Sequence, residues 1–215
     1  MSQPTKTFVT SNGIRMKVLA WDGPRDAAPA VLLHGLTSCA ETWSFVAPEL
    51  AYDRQVYALD LRGHGESDKP DADYEQATVA RDVAGALDAL GVAACCVVGH
   101  SWGGGIAARL AADYPDRVHR LVLADGGLLV RREGTLAPER AEQMLAPIEI
   151  YRTVDTYFAE FRRTLNDHWS PEIEAIALAA ILHNPDGSVR ERLDREHQKL
   201  ILQAGWRVDM TQVYP

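Results

Sequence analysis

Residues 95–104 read CCVVGHSWGG, and this stretch decides the fold. Its first four residues are a continuous apolar run of the kind that forms a strand covered on both faces. The run breaks at Gly99-His100-Ser101-Trp102-Gly103, a G-x-S-x-G pattern. An Ala-rich segment with helical spacing follows over 102–114 and stops at Pro115. A strand that turns straight into a helix leaves no room for bulk beside the turn, which accounts for Gly99 and Gly103. The apical residue, Ser101, is forced into a strained backbone conformation with its Oγ above the strand ends. The start of the helix beneath it offers free N–H groups and the positive end of the helix dipole. Ser101 is therefore the candidate nucleophile. A glycine-rich turn without chemistry is the plain alternative, and a strand before and a helix after weigh against it.

Working outward, three more continuous apolar runs occur at 30–33, 56–59 and 121–124. Helical patterns separate them. Residues 41–52 carry Trp43, Val46, Ala47 and Leu50 on one side. Residues 77–90 carry Val79, Val83, Ala86, Leu87 and Leu90, and stop at Gly91. Strands alternating with helices predict βαβ units and a parallel sheet. Near the start, apolar runs at 8–10 and 14–20 flank Ser11-Asn12-Gly13, which predicts a hairpin. Beyond about residue 128 no strand is expected. Segments 138–145, 154–165, 171–182 and 189–204 read as helices, with Ser170 as N-cap before Pro171. Asn184-Pro185-Asp186-Gly187 reads as a turn. The predicted organisation is an α/β core over 1–127 and a helical cap over 128–215.

Two strand-end loops add chemistry. Acyl transfer needs backbone N–H donors aimed at the developing oxyanion. One is expected from Trp102, the residue after Ser101, and the other from Leu36 in Leu32-Leu33-His34-Gly35-Leu36, where Gly35 lets the chain turn. His34 precedes the nucleophile and is expected to brace this loop rather than act as base. Asp60-Leu61-Arg62-Gly63-His64-Gly65-Glu66-Ser67 combines two glycines with short polar groups and predicts a tight, self-bonded loop. His64 has no second metal ligand near it in sequence and reads as structural.

The motifs LLHGLTS, DLRGHGES and GHSWGG, followed by DYPDRVHRLVLADGG, together resemble the α/β-hydrolase superfamily over about residues 8–130. The resemblance implies an α/β-hydrolase fold: a mostly parallel sheet with an N-terminal hairpin, and a helical cap that roofs the acyl or leaving-group pocket. It also implies Ser101 as nucleophile and the Leu36 and Trp102 amides as oxyanion hole. The family's triad runs Ser, acid, His, with the acid after a seventh strand and the histidine beyond an eighth. Neither late strand is read before Pro215, so the chain is expected to be truncated after the cap. Of the histidines after Ser101, His119, His168, His183 and His197 are each expected at the surface or in cap packing. Asp125 follows the sixth strand, where some relatives carry the acid, and is a candidate acid; the competing reading is a polar anchor for the cap junction. The implied activity is hydrolysis of a small ester, thioester or related carbonyl substrate through an acyl-enzyme. Alternatives on the same fold are a carbon–carbon bond hydrolase, a cofactor-free peroxidase, or an inactive truncated product or ligand sensor. Epoxide hydrolases and dehalogenases share such elbows but place aspartate at the nucleophile position.

Composition sets the remaining bounds. The 215 residues carry a net charge of -8, with 47% hydrophobic and 24% charged residues, an ordinary globular balance. An acidic chain without a basic stripe argues against nucleic acid as partner. Cys39, Cys95 and Cys96 show neither metal nor disulfide spacing and read as buried apolar residues of a reduced protein. The first residues lack the apolar core of a secretory signal. No run approaches the roughly 20 apolar residues of a membrane span. A cytoplasmic protein is expected, acting on a small-molecule substrate with no cofactor and no metal. The sequence sets no oligomeric state.

Overall fold

The hairpin expected at Asn12-Gly13 forms between β1 (Thr5–Ser11) and β2 (Ile14–Trp21) in the computed structural model, which describes residues 3–126, 145, 150–165 and 168–206. Asn12 (φ 48) and Gly13 (φ 79) are both left-handed, as a two-residue type I′ turn requires. β3 (Ala30–Leu33), β4 (Val56–Leu59), β5 (Cys95–His100) and β6 (Val118–Ala124) complete a six-stranded sheet of order β1-β2-β4-β3-β5-β6. β3 pairs in parallel with β4 and β5, and β5 with β6, while β2 joins β4 antiparallel. The result is the α/β-hydrolase fold: a mostly parallel sheet with the N-terminal hairpin along one side.

Segment 41–52 is not one helix. A 3-10 turn over Ala40–Phe45 gives way to a single α turn, α1 (Ala47–Leu50). Pro48 has no N–H to continue a helical ladder from the residues before it. Trp43 and Ala47 are buried as expected, whereas Val46 is exposed. α2 (Gln76–Ala89) stops where Gly91 takes φ 70. There Val92 N–H reaches Leu87 O at 2.9 Å and Gly91 N–H reaches Asp88 O at 3.0 Å, a Schellman closure. α3 (Trp102–Asp113) leaves directly from β5. Alternation along β3 divides the core. Val31 and Leu33 join the cluster built with α2 and α3, and Ala30 and Leu32 join Trp21, Trp43 and Ala47 on the opposite face.

Three helices of the C-terminal part form: α4 (Val154–Leu165), α5 (Pro171–Ala179) and α6 (Arg195–Trp206). Ser170 Oγ caps α5 by accepting from Ile173 N–H at 3.3 Å. The helix expected over 138–145 lies outside the described residues apart from Leu145. The expectation of no strand beyond residue 128 is corrected. Ile181–His183 and Val189–Glu191 form an antiparallel hairpin, β7 and β8. Its turn is the Asn184–Gly187 segment. Gly187 takes φ 86, Asn184 N–H reaches Ser188 O at 2.8 Å, and Asp186 Oδ1 accepts from both the amide and the hydroxyl of Ser188. Fixed by that turn, Val189 pairs with His183 and bridges to Tyr151 instead of starting a helix. Tyr157, Phe158, Ala177, Ile181 and Val189 make a small separate cluster, while Leu193 and, from α6, Leu200, Ile201 and Ala204 pack with Tyr74, Leu36 and Trp102. No helix among the described residues is long and apolar enough to cross a membrane.

Candidate active site

Ser101 occupies the turn between β5 and α3 with φ 50 and ψ -116, a conformation that non-glycine residues rarely adopt. Its side chain lies on an exposed residue and its Oγ makes no hydrogen bond among the described residues. The backbone is pinned on both sides: Ser101 N–H donates to Ala124 O at 3.0 Å, and Ser101 O accepts from Gly104 N–H at 2.9 Å. The two motif glycines are sterically required. A Cβ at Gly99 would lie 2.3 Å from Gly103 O, and one at Gly103 would lie 2.5 Å from both Leu33 O and His34 O. The strained elbow expected from the sequence is thus present.

The His34–Leu36 loop lies against this elbow, since a Cβ at Gly35 would stand 3.4 Å from Ser101 Cβ. His34 is fully buried. Its Nε2 accepts from Leu61 N–H at 3.1 Å, which assigns the proton to Nδ1, and Nδ1 donates to Gly35 O at 2.8 Å. Ser38 N–H donates to the same oxygen at 3.2 Å. The Gly35–Leu36 peptide is therefore gripped by its carbonyl, and trans planarity sends the Leu36 N–H the opposite way. That amide has no acceptor among the described residues. The Trp102 amide opens α3 and so lacks an intrahelical acceptor. His34 braces the loop, as expected.

The Asp60–Ser67 loop is self-bonded as expected. Ser67 Oγ donates to Asp60 O at 2.7 Å, and Glu66 N–H donates to Asp60 Oδ2 at 2.8 Å. Asp60 also accepts from Ala40 N–H at 2.7 Å and faces Lys17 Nζ at 2.8 Å. Lys17 is buried and pairs with Glu41 at 2.7 Å as well. Sequence reasoning missed this cation; its only signal is one lysine inside the strand Ile14–Trp21.

Burial pulls His34 down to about pKa 4, helped by the nearby positive charge of Lys17, and pulls His64 down to about 3, helped by His34. Both rings are neutral in the fold at pH values where an unfolded histidine, near 6.5, takes up a proton. Below that value the unfolded chain binds protons that the folded chain refuses, so stability falls as pH drops toward 3. Urea melts from pH 7 to 4 should show this loss, with a shallower slope in His64→Phe. Parallel slopes in the two proteins would refute it.

The other predicted residues are placed as follows. Asp125 is exposed, with φ 49, in the bend after β6. Both its neighbours touch the elbow: Ala124 O bonds Ser101, and a Cβ at Gly126 would lie 2.6 Å from Ser101 Cα. His119 is exposed near the start of β6, away from the strand ends that carry Ser101; His168 and His183 are also exposed. His197 is buried, with Nδ1 at 2.7 Å from Asp194 and Nε2 at 3.1 Å from Lys69 O. None of the four bonds to Ser101. The Asp194–His197 pair was not anticipated; its signal is an Asp three residues ahead of a His at a helix start. Among the described residues no three His, Cys, Asp or Glu side chains converge to hold a metal.

Comparison with known proteins gives the family. Residues 29–190 match the family model described as the alpha/beta hydrolase fold. The soluble epoxide hydrolase of Corynebacterium sp. (strain C12) is 34% identical over 197 residues, which covers 83% of this chain and 67% of that protein. The N-formylmaleamate deformylase of Pseudomonas putida is 41% identical over 118 residues, 54% of this chain and 43% of that protein. The crystal structure of E-2-(acetamidomethylene)succinate hydrolase superposes with a TM-score of 0.78 at 24% identity, covering 98% of this chain and 76% of the other. The matched chain spans 32% to 67% of the length of such curated relatives. The chain belongs to the α/β hydrolase fold family.

Proposed function

We propose that the protein is a hydrolase that cleaves a small ester, thioester or related carbonyl substrate through Ser101 and an acyl-enzyme. The observation that carries this reading is the strained Ser101, at φ 50, set between a buried strand and a helix start with its Oγ unbonded among the described residues. Ser101 Oγ attacks the carbonyl carbon. The carbonyl oxygen gains negative charge, which the amides of Leu36 and Trp102 receive in a site that needs no reorganisation. The leaving group departs with a proton, and water then cleaves the acyl–serine ester. A serine hydroxyl is a weak nucleophile without a base. No described histidine bonds to it; we assign Asp125, beside the elbow, as the acid of the site. We assign residues 1–127 to the core and 128–215 to the cap. The packing of α6 on Leu36 and Trp102 supports that division, because it sets a wall beside the two amides.

The deformylase relative, by its name, removes a formyl group, an acyl transfer of the kind this elbow suits. Epoxide opening suits it less, although one relative bears that name. Attack by serine on an epoxide leaves an ether, and water has no carbonyl at which to release it. The test is a fluorophosphonate probe applied to the full-length protein, followed by peptide mass spectrometry. An adduct on Ser101, absent from Ser101→Ala, is expected. An unmodified Ser101 after prolonged exposure overturns the proposal.

A further inference from the structure

His64 sits at a junction that the serine reading does not use. Its ring is fully buried between three parts of the site. Nε2 lies 2.5 Å from Leu36 O, in the loop that carries one proposed oxyanion amide. The ring stacks on Trp102, centroid to centroid 5.0 Å, and Trp102 carries the other. It also tilts against His34 at 4.8 Å, the residue that grips the Gly35 carbonyl.

We propose that His64 is a positioning residue for the oxyanion hole: one buried ring bonds the Leu36 carbonyl and stacks on Trp102, and so fixes both residues whose amides receive the charge. The inference rests on the serine-nucleophile reading. Its physical basis is the stiffness of the strut. The His64 backbone is locked in its own loop, with His64 N–H bonded to Leu61 O at 2.9 Å and Ser67 N–H bonded to His64 O at 3.0 Å. The preceding Arg62 is tied to α2 by a buried two-pronged pair with Asp82, at 2.7 and 2.9 Å. A side chain on so firm a base transmits its position to its partner, and here the partner is the Leu36 loop. The Gly35–Leu36 peptide is then held from both ends, by His34 on the carbonyl before the amide and by His64 on the carbonyl after it. An oxyanion donor acts through geometry, so a loop free to swing would lose most of its effect.

The proton inventory makes the inference checkable. Nδ1 lies 2.9 Å from Arg62 O, so both ring nitrogens face carbonyl oxygens. A neutral ring donates only once. The positioning role requires that proton on Nε2, where it bonds Leu36 O. Long-range proton–nitrogen spectra of the full-length protein should show a protonated Nε2 on His64 at neutral pH. A bare Nε2 overturns the proposal, with no variant required.

Kinetics supply the second arm. His64→Phe keeps an aromatic face for Trp102 and removes the donor. His64→Gln restores an N–H of similar reach. Fluorophosphonate labelling of Ser101 in the full-length protein should slow by about ten- to a hundredfold in the Phe variant, as for a modest misplacement of catalytic groups. The Gln variant should recover part of that rate. For a simple ester, kcat should fall with KM unchanged. A ring that merely supports the fold would lower melting temperature in both variants without this split. Labelling of His64→Phe at the wild-type rate overturns the positioning role while leaving the serine reading intact. A wild-type protein that does not label overturns the serine reading, and this inference with it.

Discussion

Exchanging Ser101 for alanine is expected to remove about four to six orders of magnitude in kcat, the range seen when a nucleophile is deleted from an intact site. Exchanging it for glycine should remove as much and yet give a protein that melts at a higher temperature. The divergence follows from the backbone. At φ 50 and ψ -116 the serine Cβ is crowded, and residues held in such regions cost about 1–3 kcal/mol. Alanine keeps the Cβ and the strain, so its melting temperature should stay near that of the wild type. Glycine pays no such penalty but loses about 0.4–1 kcal/mol through its freer unfolded chain. The net gain is about 1 kcal/mol, or about 2–4 °C for a domain of this size. Ester turnover and thermal melts of the two variants check both halves. Turnover retained in Ser101→Ala removes the nucleophile; a Ser101→Gly protein that melts below wild type removes the strain.

The elbow was legible in the sequence because its causes are local. Gly99 and Gly103 are where a Cβ would strike backbone, and a strand-sized run and an Ala-rich helix flank them. The hairpin at Asn12-Gly13 was legible for the same reason, since both residues must take positive φ. The second hairpin was not. β7 and β8 have three residues each, too few to show alternation, and Val189, Leu193, His197, Leu200 and Ile201 happen to fit a helical period. Only the pairing enforced by the Asn184–Gly187 turn decides between the two. The site was half legible. Leu36 and Trp102 could be placed from loop position, because the proposed donors are backbone amides and need no particular side chain. His64 reads as structural and sits in a self-bonded loop, but its bond to Leu36, 28 residues away, leaves no trace in the spacing. Lys17 gave no sign of its partners, because Glu41 and Asp60 reach it only after β2 and β4 have paired.

That buried cation carries the largest expected effect on stability. Asp60→Ala should destabilise the fold by about 3–5 kcal/mol, the cost of breaking a buried ion pair from one side. Lys17 would be left with Glu41 as its main anion, and the amides of Ala40 and Glu66 would each lose their acceptor. Domains of this kind are stable by only about 5–15 kcal/mol, so the variant should sit near its folding limit. The cation that has lost its fully buried anion is the separable part of the loss. Adding Lys17→Met removes it and leaves an apolar side chain on the face of β2 that carries Leu19 and Trp21, so the double variant should regain about 1–3 kcal/mol over Asp60→Ala alone. Strictly additive losses would show that the pair is not coupled. Alkaline titration gives an independent check. Burial by itself lowers the Lys17 pKa, but Asp60 and Glu41 outweigh it and hold the pKa above the ordinary 10.5. A lysine raised in the fold contributes its full stabilisation below 10.5 and loses it as the pH climbs through the folded value. Wild-type stability should therefore fall above about pH 10.5 more steeply than that of the double variant, in which no buried ammonium remains to be neutralised.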